Sequence, residues 1–274
     1  MGAWACGEST NVALDRDAGS EVLDAAPDAG PAQLLDAGFD AASADAAWSD
    51  AARADAAPER TLTEILGTLT GVCPALAAAL ASPQPALFEN RIAFVSGETY
   101  TRDELSPGAQ HMYDTPNSGG SSAESELIAY EVLHFCEGAS LYKTETEVVY
   151  ATQSKKTDLV VDFGPQRIGV SVARAVSYPC GTPLTQEGAR ELLEGKLTDI
   201  LLSSASAAPV DRWQKQILHV ISASHENTEA VRLAWPTLPV EVRADTIVYV
   251  TETAGGAFLY YGAEEPLGET CPMP

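Results

Sequence analysis

Between Ser121 and Ser222 the spacing of apolar residues runs from a helical period to strand-like alternation and back again, which limits the folds open to this chain more than any other feature. Leu127, Ile128, Tyr130, Leu133 and Phe135 recur as on a helix that Ser121 and Glu124 open as a capping box and Gly138 stops. Glu145 to Thr152, Thr157 to Phe163 and Arg167 to Ala173 then read as three strands, the last two joined by a tight hairpin at Gly164-Pro165-Gln166. An amphipathic helix follows, opened by Thr185 and carrying Ala189, Leu192, Leu193, Leu197, Ile200 and Leu201, and Ile217 to Ile221 is a short buried strand. A helix from Asn227 to Trp235, a strand from Thr246 to Thr251 and an edge strand from Ala257 to Tyr261 complete the chain's folded part. The order α-β-β-β-α-β, then α-β-β, predicts one three-layer α/β domain with a mixed sheet over residues 121–274.

Residues 61–120 read as a helical and irregular N-terminal extension of that domain. Leu62, Ile65, Leu66, Leu69, Val72, Leu76 and Leu80 fall at three- and four-residue spacing with an interruption at Pro74, Phe88 to Val95 reads as a strand, and Asn117 to Ser122 is a loop. Residues 1–60 are different in kind. Eight of the nine aspartates from Asp15 to Asp55 are followed directly by alanine, while Pro27, Pro31 and several glycines interrupt every helical run. Too little apolar surface is present to offset the entropy of ordering, so this stretch is a solvated acidic tether.

The formal charge of the whole chain is -23, and with 12 acids and 3 arginines in the first 60 residues, the remainder is itself strongly acidic. That balance disfavours nucleic acid and anionic lipid as partners. No run of 18 apolar residues exists, so no helical span is predicted. Cys6, preceded by a small residue and followed by polar sequence, is similar to the lipidated cysteine of bacterial lipoproteins, and the Asp-Ala-Gly tract behind it resembles the tethers of myxobacterial envelope lipoproteins. That resemblance implies an extracytoplasmic, envelope-attached domain touching the membrane only through a lipid on Cys6; a cytoplasmic protein with free thiols is the alternative. Cys73, Cys136, Cys180 and Cys271 permit three pairings if two bridges form, of which Cys73 with Cys271 closes the longest loop.

The run from about Ser122 to Ser222 resembles the core of the PD-(D/E)XK nuclease superfamily. In that family a helix supplies a glutamate, the second core strand an aspartate and the third an acid-x-Lys pair, which together hold Mg²⁺ against a phosphate and orient the attacking water. On this chain Asp158 falls at the strand aspartate and Glu126 or Glu131 at the helix glutamate. Ser171 and Ala173 stand where the acid and the lysine belong, so half of the motif is missing; Arg174, one residue on, should point to the opposite face of the strand. Lys156, two residues before Asp158, is a candidate stand-in for the lysine, and Glu145 or Glu147, sharing a strand face with Lys143, for the missing acid. The four histidines 111, 134, 219 and 225 form no metal-binding motif, and no phosphate-cradling loop or nucleophile elbow is present.

The resulting expectation is a monomeric, tethered, extracytoplasmic binding or structural domain that uses a nuclease-like framework without cofactor or catalysis and meets a protein or other envelope partner. The alternative is a Mg²⁺-dependent phosphodiesterase or nuclease whose site has migrated to Glu126, Asp158 and Lys156. Limited proteolysis should remove the tether and leave a stable fragment beginning between about residues 58 and 85; protection of the first fifty residues would show that the Asp-Ala tract is ordered.

Overall fold

A computed structural model describes residues 60–61, 66–94, 100–116, 123–177 and 182–261. The Asp-Ala tract with Cys6, the Asn117–Ser122 loop with its proposed cap at Ser121, and Cys180 and Cys271 lie outside these residues. The described residues build a mixed sheet of eight strands, β1 (Arg60–Thr61), β2 (Thr68–Gly71), β3 (Ala86–Ala93), β4 (Ser140–Thr144), β5 (Leu159–Phe163), β6 (Gln166–Ala175), β7 (Lys215–Ser222) and β8 (Ile247–Ala254), in the order β1-β2-β3-β8-β7-β6-β5-β4. Three of these, β4 (Ser140–Thr144), β5 (Leu159–Phe163) and β6 (Gln166–Ala175), form an antiparallel meander. Strand β7 (Lys215–Ser222) then runs parallel to β6, and β8 (Ile247–Ala254) parallel to β7. Helix α3 (Ala123–Glu137) precedes the meander and α4 (Gln186–Ser206) makes the crossover from β6 to β7, so the α-β-β-β-α-β order read from the sequence is the order of the fold.

Local chemistry explains these elements. Phe163 and Gln166 pair across the two-residue turn Gly164-Pro165, where Gly164 adopts a φ of 59° that a side chain would resist. Gly138 ends α3 at a φ of 74°, its N–H and that of Ala139 reaching back to the carbonyls of His134 and Leu133. Thr185 caps α4 by accepting the Gly188 N–H at 3.0 Å. All of β7 is buried, and its side chains serve two cores in alternation. Ile217 and Ile221 meet Ile128, Leu133 and Val172 on the α3 side, whereas Leu218 and Val220 meet Leu193, Leu197 and Val248 on the α4 side. The second layer is completed by α5 (His225–Ala234), and α6 (Val240–Arg243) leads into β8.

Three expected elements are corrected. Residues 62–80 are only partly the interrupted helix expected: Leu66 is helical and α1 (Ala77–Leu80) is a short helix, but β2 (Thr68–Gly71) is a strand between them, β1 (Arg60–Thr61) a strand just before them, and residues 62–65 are not described. The apolar spacing runs through a strand and the short helical pieces that flank it, with Leu66, Leu69 and Leu76 all buried in one core, and β3 (Ala86–Ala93) pairs with both β2 and β8. The first meander strand ends at Thr144 rather than beginning at Glu145, because the Glu147 carboxylate folds back to accept the Thr144 N–H at 2.9 Å and closes a turn. Residues 257–261 do not form an edge strand, since both edges of β8 are occupied by β3 and β7. After Gly255 and Gly256 the chain instead forms α7 (Phe258–Tyr261), where Phe258 packs edge-on against Phe94 and Tyr100.

Cys73 pairs with Cys136 rather than Cys271, joining the loop after β2 to the last turn of α3 with a Cα–Cα distance of 5.1 Å. The Glu137 carboxylate reinforces that staple by accepting the N–H groups of Ala75 and Leu76 at 2.9–3.0 Å. The bridge spans 63 residues, so Cys73→Ser should lower the unfolding free energy by about 3–4 kcal/mol. Urea unfolding of the two proteins under oxidising conditions measures this, and alkylation without reductant should leave Cys73 and Cys136 of the wild type unlabelled.

Candidate functional site

Strand β6 outruns its neighbour. The pairing of β5 with β6 ends at Leu159↔Val170, whereas β6 continues to Ala175 beside β7. Asp158, the residue before β5, falls one register step further, opposite Ser171, and its Oδ2 accepts the Val172 N–H at 2.6 Å. A carboxylate thus satisfies a backbone donor that no strand reaches.

Around this edge lies a cavity of about 260 Å³. Its acidic lining is Glu124 and Glu126 from the first turn of α3, Glu145 from the turn after β4, and Asp158. Tyr100, together with Met112 and Tyr113 from helix α2 (Pro107–Asp114), supplies the opposing wall. Burial pushes the Asp158 carboxyl up to about 7 with help from Glu126 and Glu145, against the Val172 hydrogen bond and the positive charge of Lys196 on α4. Among the described residues, no three His, Cys, Asp or Glu side chains converge closely enough to hold a metal ion.

Of the residues singled out in the sequence, Glu126 and Asp158 share the pocket, and Glu145 joins them. Glu131 does not; it is fully buried one turn further along α3. Ser171 lies beside Leu218 and Ala173 beside Val220, so both face α4, and Ala173 is packed among Leu193 and Leu197. Lys156 is exposed on the loop before β5 and is not part of the pocket. Lys143, Glu145 and Glu147 do not share a strand face: Lys143 holds the fully buried Asp211 at 2.8 Å, and Glu147 meets His111 at 3.0 Å. Arg174 does point to the other face, donating to the Leu259 carbonyl at 3.0 Å on the α3 side. Each histidine has a hydrogen-bond partner, including the buried His219, which meets Thr251 at 2.8 Å.

Lys196 escaped the sequence reading. Its signal was its place beside the buried Leu193, Leu197 and Ile200 stripe, which carries the flank of α4 toward the sheet edge. The α2 wall escaped too, because the eight residues of that helix show no long apolar period.

No family model matches the chain. It is similar to the AAC-rich mRNA clone AAC4 protein of Dictyostelium discoideum, with 41% identity over 162 residues, 57% of this chain and 24% of that protein. The chain therefore spans about a quarter of that relative's length. Among solved structures, SfsA of Pyrococcus furiosus in complex with Ca²⁺ matches 52% of this chain and 70% of its own at 15% identity, with a TM-score of 0.23.

The raised Asp158 carboxyl has a thermodynamic sign. Its folded pKa of about 7 lies above the ordinary carboxylate value, so the stability it contributes is present at acid pH and lost as pH rises toward 7. Asp158→Asn keeps an acceptor for Val172 and removes the titration. The variant should match the wild type near pH 4 and exceed its stability at pH 8 by roughly 1–3 kcal/mol. Urea unfolding across pH measures the difference, and equal stabilities at pH 8 would show that Asp158 is not crowded.

Proposed function

We propose that this is a binding domain, held outside the cytoplasm on its acidic tether, that grips a cationic group in the acidic pocket and cleaves no phosphodiester. Asp158 carries the reading. Burial, with Glu126 adding to it, pushes this carboxyl up to about 7, and a bound ammonium or guanidinium would favour its ionised form and offset that burial. Tyr100, Tyr113 and Met112 add aromatic and polarisable surface suited to the same groups. A lysine or arginine side chain of a protein partner fits this chemistry better than a bare cation, given that no three donors converge among the described residues.

The order of α3, β4, β5, β6, α4 and β7 supports a PD-(D/E)XK-like framework, on which Asp158 would stand for the strand aspartate. What argues against catalysis is β6, where Ser171 offers a hydroxyl in place of a second carboxylate and the buried Ala173 leaves no amine to orient water. Lys196 supports the second reading, a divalent-metal-dependent phosphodiesterase built from Glu126, Asp158 and a lysine supplied by α4 rather than by Lys156, because its charge acts on Asp158.

Calorimetric titration with a short Lys- and Arg-rich peptide tests the first reading. Binding at pH 7 should release protons, so the apparent enthalpy should vary with the buffer's ionisation enthalpy. Asp158→Asn should weaken binding about tenfold or more, as expected for loss of one buried charge partner, and abolish the buffer dependence. In parallel, neither DNA nor RNA should be cut in Mg²⁺ or Mn²⁺; cleavage that disappears in Asp158→Ala would establish the phosphodiesterase instead.

A further inference from the structure

Glu131 is a buried acid with no task in cation binding. Its side chain has no exposure, its Oε1 accepts the Ser106 N–H at 2.7 Å, and its Oε2 is buried with no hydrogen-bond partner. Ser106 is the N-cap of α2, whose far end supplies Met112 and Tyr113, with Thr115 and Pro116 just beyond, to the pocket. The first turn of α2 also presses on α3 at Gly108, where a Cβ would come within 2.0 Å of the Tyr130 hydroxyl. This end of α2 is seated on α3 by apolar packing of Leu105 and Ala109, by the close approach at Gly108, and by the Glu131 carboxyl, which is the titratable part of the seat.

We infer that Glu131 is a protonation-dependent latch that seats α2 when neutral and releases it when ionised, and, resting on the binding reading above, that it sets access to the cation pocket. A neutral carboxyl tolerates a dry site with one hydrogen bond. An ionised one has about four acceptor positions to fill, and water reaches Oε2 when the first turn of α2 lifts away from α3. Lifting that turn moves the Met112–Pro116 wall.

The surroundings do not neutralise Glu131. Among the described residues no lysine or arginine pairs with it. Ahead of α2, Arg102 is committed to Asp103 and Asp114, and Glu104 accepts the Thr101 N–H. On α2, His111 is turned to Glu147. From β7, His219 is held neutral by burial, its pKa lowered to about 3. On α3 itself Tyr130 accepts the Leu141 N–H, and His134 donates to the Ala139 carbonyl. Burial consequently raises the Glu131 carboxyl, with the Ser106 hydrogen bonds and His134 opposing it. The latch closes at acid pH and loosens as pH rises through the raised value.

Amide hydrogen exchange of the ligand-free full chain, read on peptides covering residues 105–114 and corrected for intrinsic exchange, tests the latch. Relative to α4, protection of α2 should fall about tenfold or more between pH 5.5 and pH 8 in the wild type, as for any opening linked to one ionisation. Glu131→Gln should abolish that fall and Asp158→Asn should preserve it. Constant wild-type protection overturns the proposal without recourse to a variant. So does a fall that survives in Glu131→Gln or vanishes in Asp158→Asn. A fall confined to Glu131 in a protein that binds no cationic peptide would uphold the latch and refute the binding reading.

Discussion

The hydrogen bond from the Val172 N–H to the Asp158 carboxylate, 2.6 Å long, sits where the sheet changes character. Strand β6 is parallel to β7 from Ile168 to its end at Ala175 and antiparallel to β5 along only its first half, so its second half presents an open edge on the β5 side. An uncovered edge there would leave backbone donors without water or protein. A short acidic side chain just ahead of β5 accepts the Val172 donor there, and α3, the β4 turn and α4 each bring a charged group to bear on it. The pocket follows from that geometry, because the residues that close the edge must also leave room for the acid they place there.

What was legible in the sequence was whatever rests on near neighbours along the chain. The Gly164-Pro165 hairpin, the Gly138 stop and the Thr185 cap each depend on two to four residues, and the alternating run of β7 is buried on both faces. What misled was spacing without context. Leu66, Leu69 and Leu76 satisfy a helical period, yet the edge of β3 was open to a strand and took one. Residues 257–261 have strand-forming composition, but β8 already had a neighbour on each side. The cysteine pairing was beyond reach for a related reason: maximal loop length favoured Cys271, while the path of β2 brings Cys73 to the end of α3.

The site was half legible. Asp158 and Glu126 follow from the order of elements, since one precedes β5 and the other opens α3. Glu145 was visible only as an ambiguous strand residue, and the turn that delivers it to the pocket is closed by Glu147. Lys196 and Tyr113 arrive from elements far apart in sequence, and nothing local in either stretch marks them as neighbours of Asp158.

Charge on the two sides of the sheet edge is unequal, and that inequality bears on chemistry. From α3 and the β4 turn Asp158 receives the repulsion of Glu126 and Glu145; from α4 it receives the attraction of Lys196. Four carboxylates line the pocket, a field that repels an anionic phosphodiester and attracts an ammonium or guanidinium. A nuclease centre inverts that field by committing its carboxylates to a metal, which requires donors in a tight shell. Here the residue facing Asp158 on β6 is Ser171, a hydroxyl, and among the described residues the acids are spread along a cavity wall rather than gathered about a point. Spread acids cannot share one small cation efficiently, but they can each take a face of a larger one, which is the physical basis for proposing an organic cation rather than a hard ion at this edge.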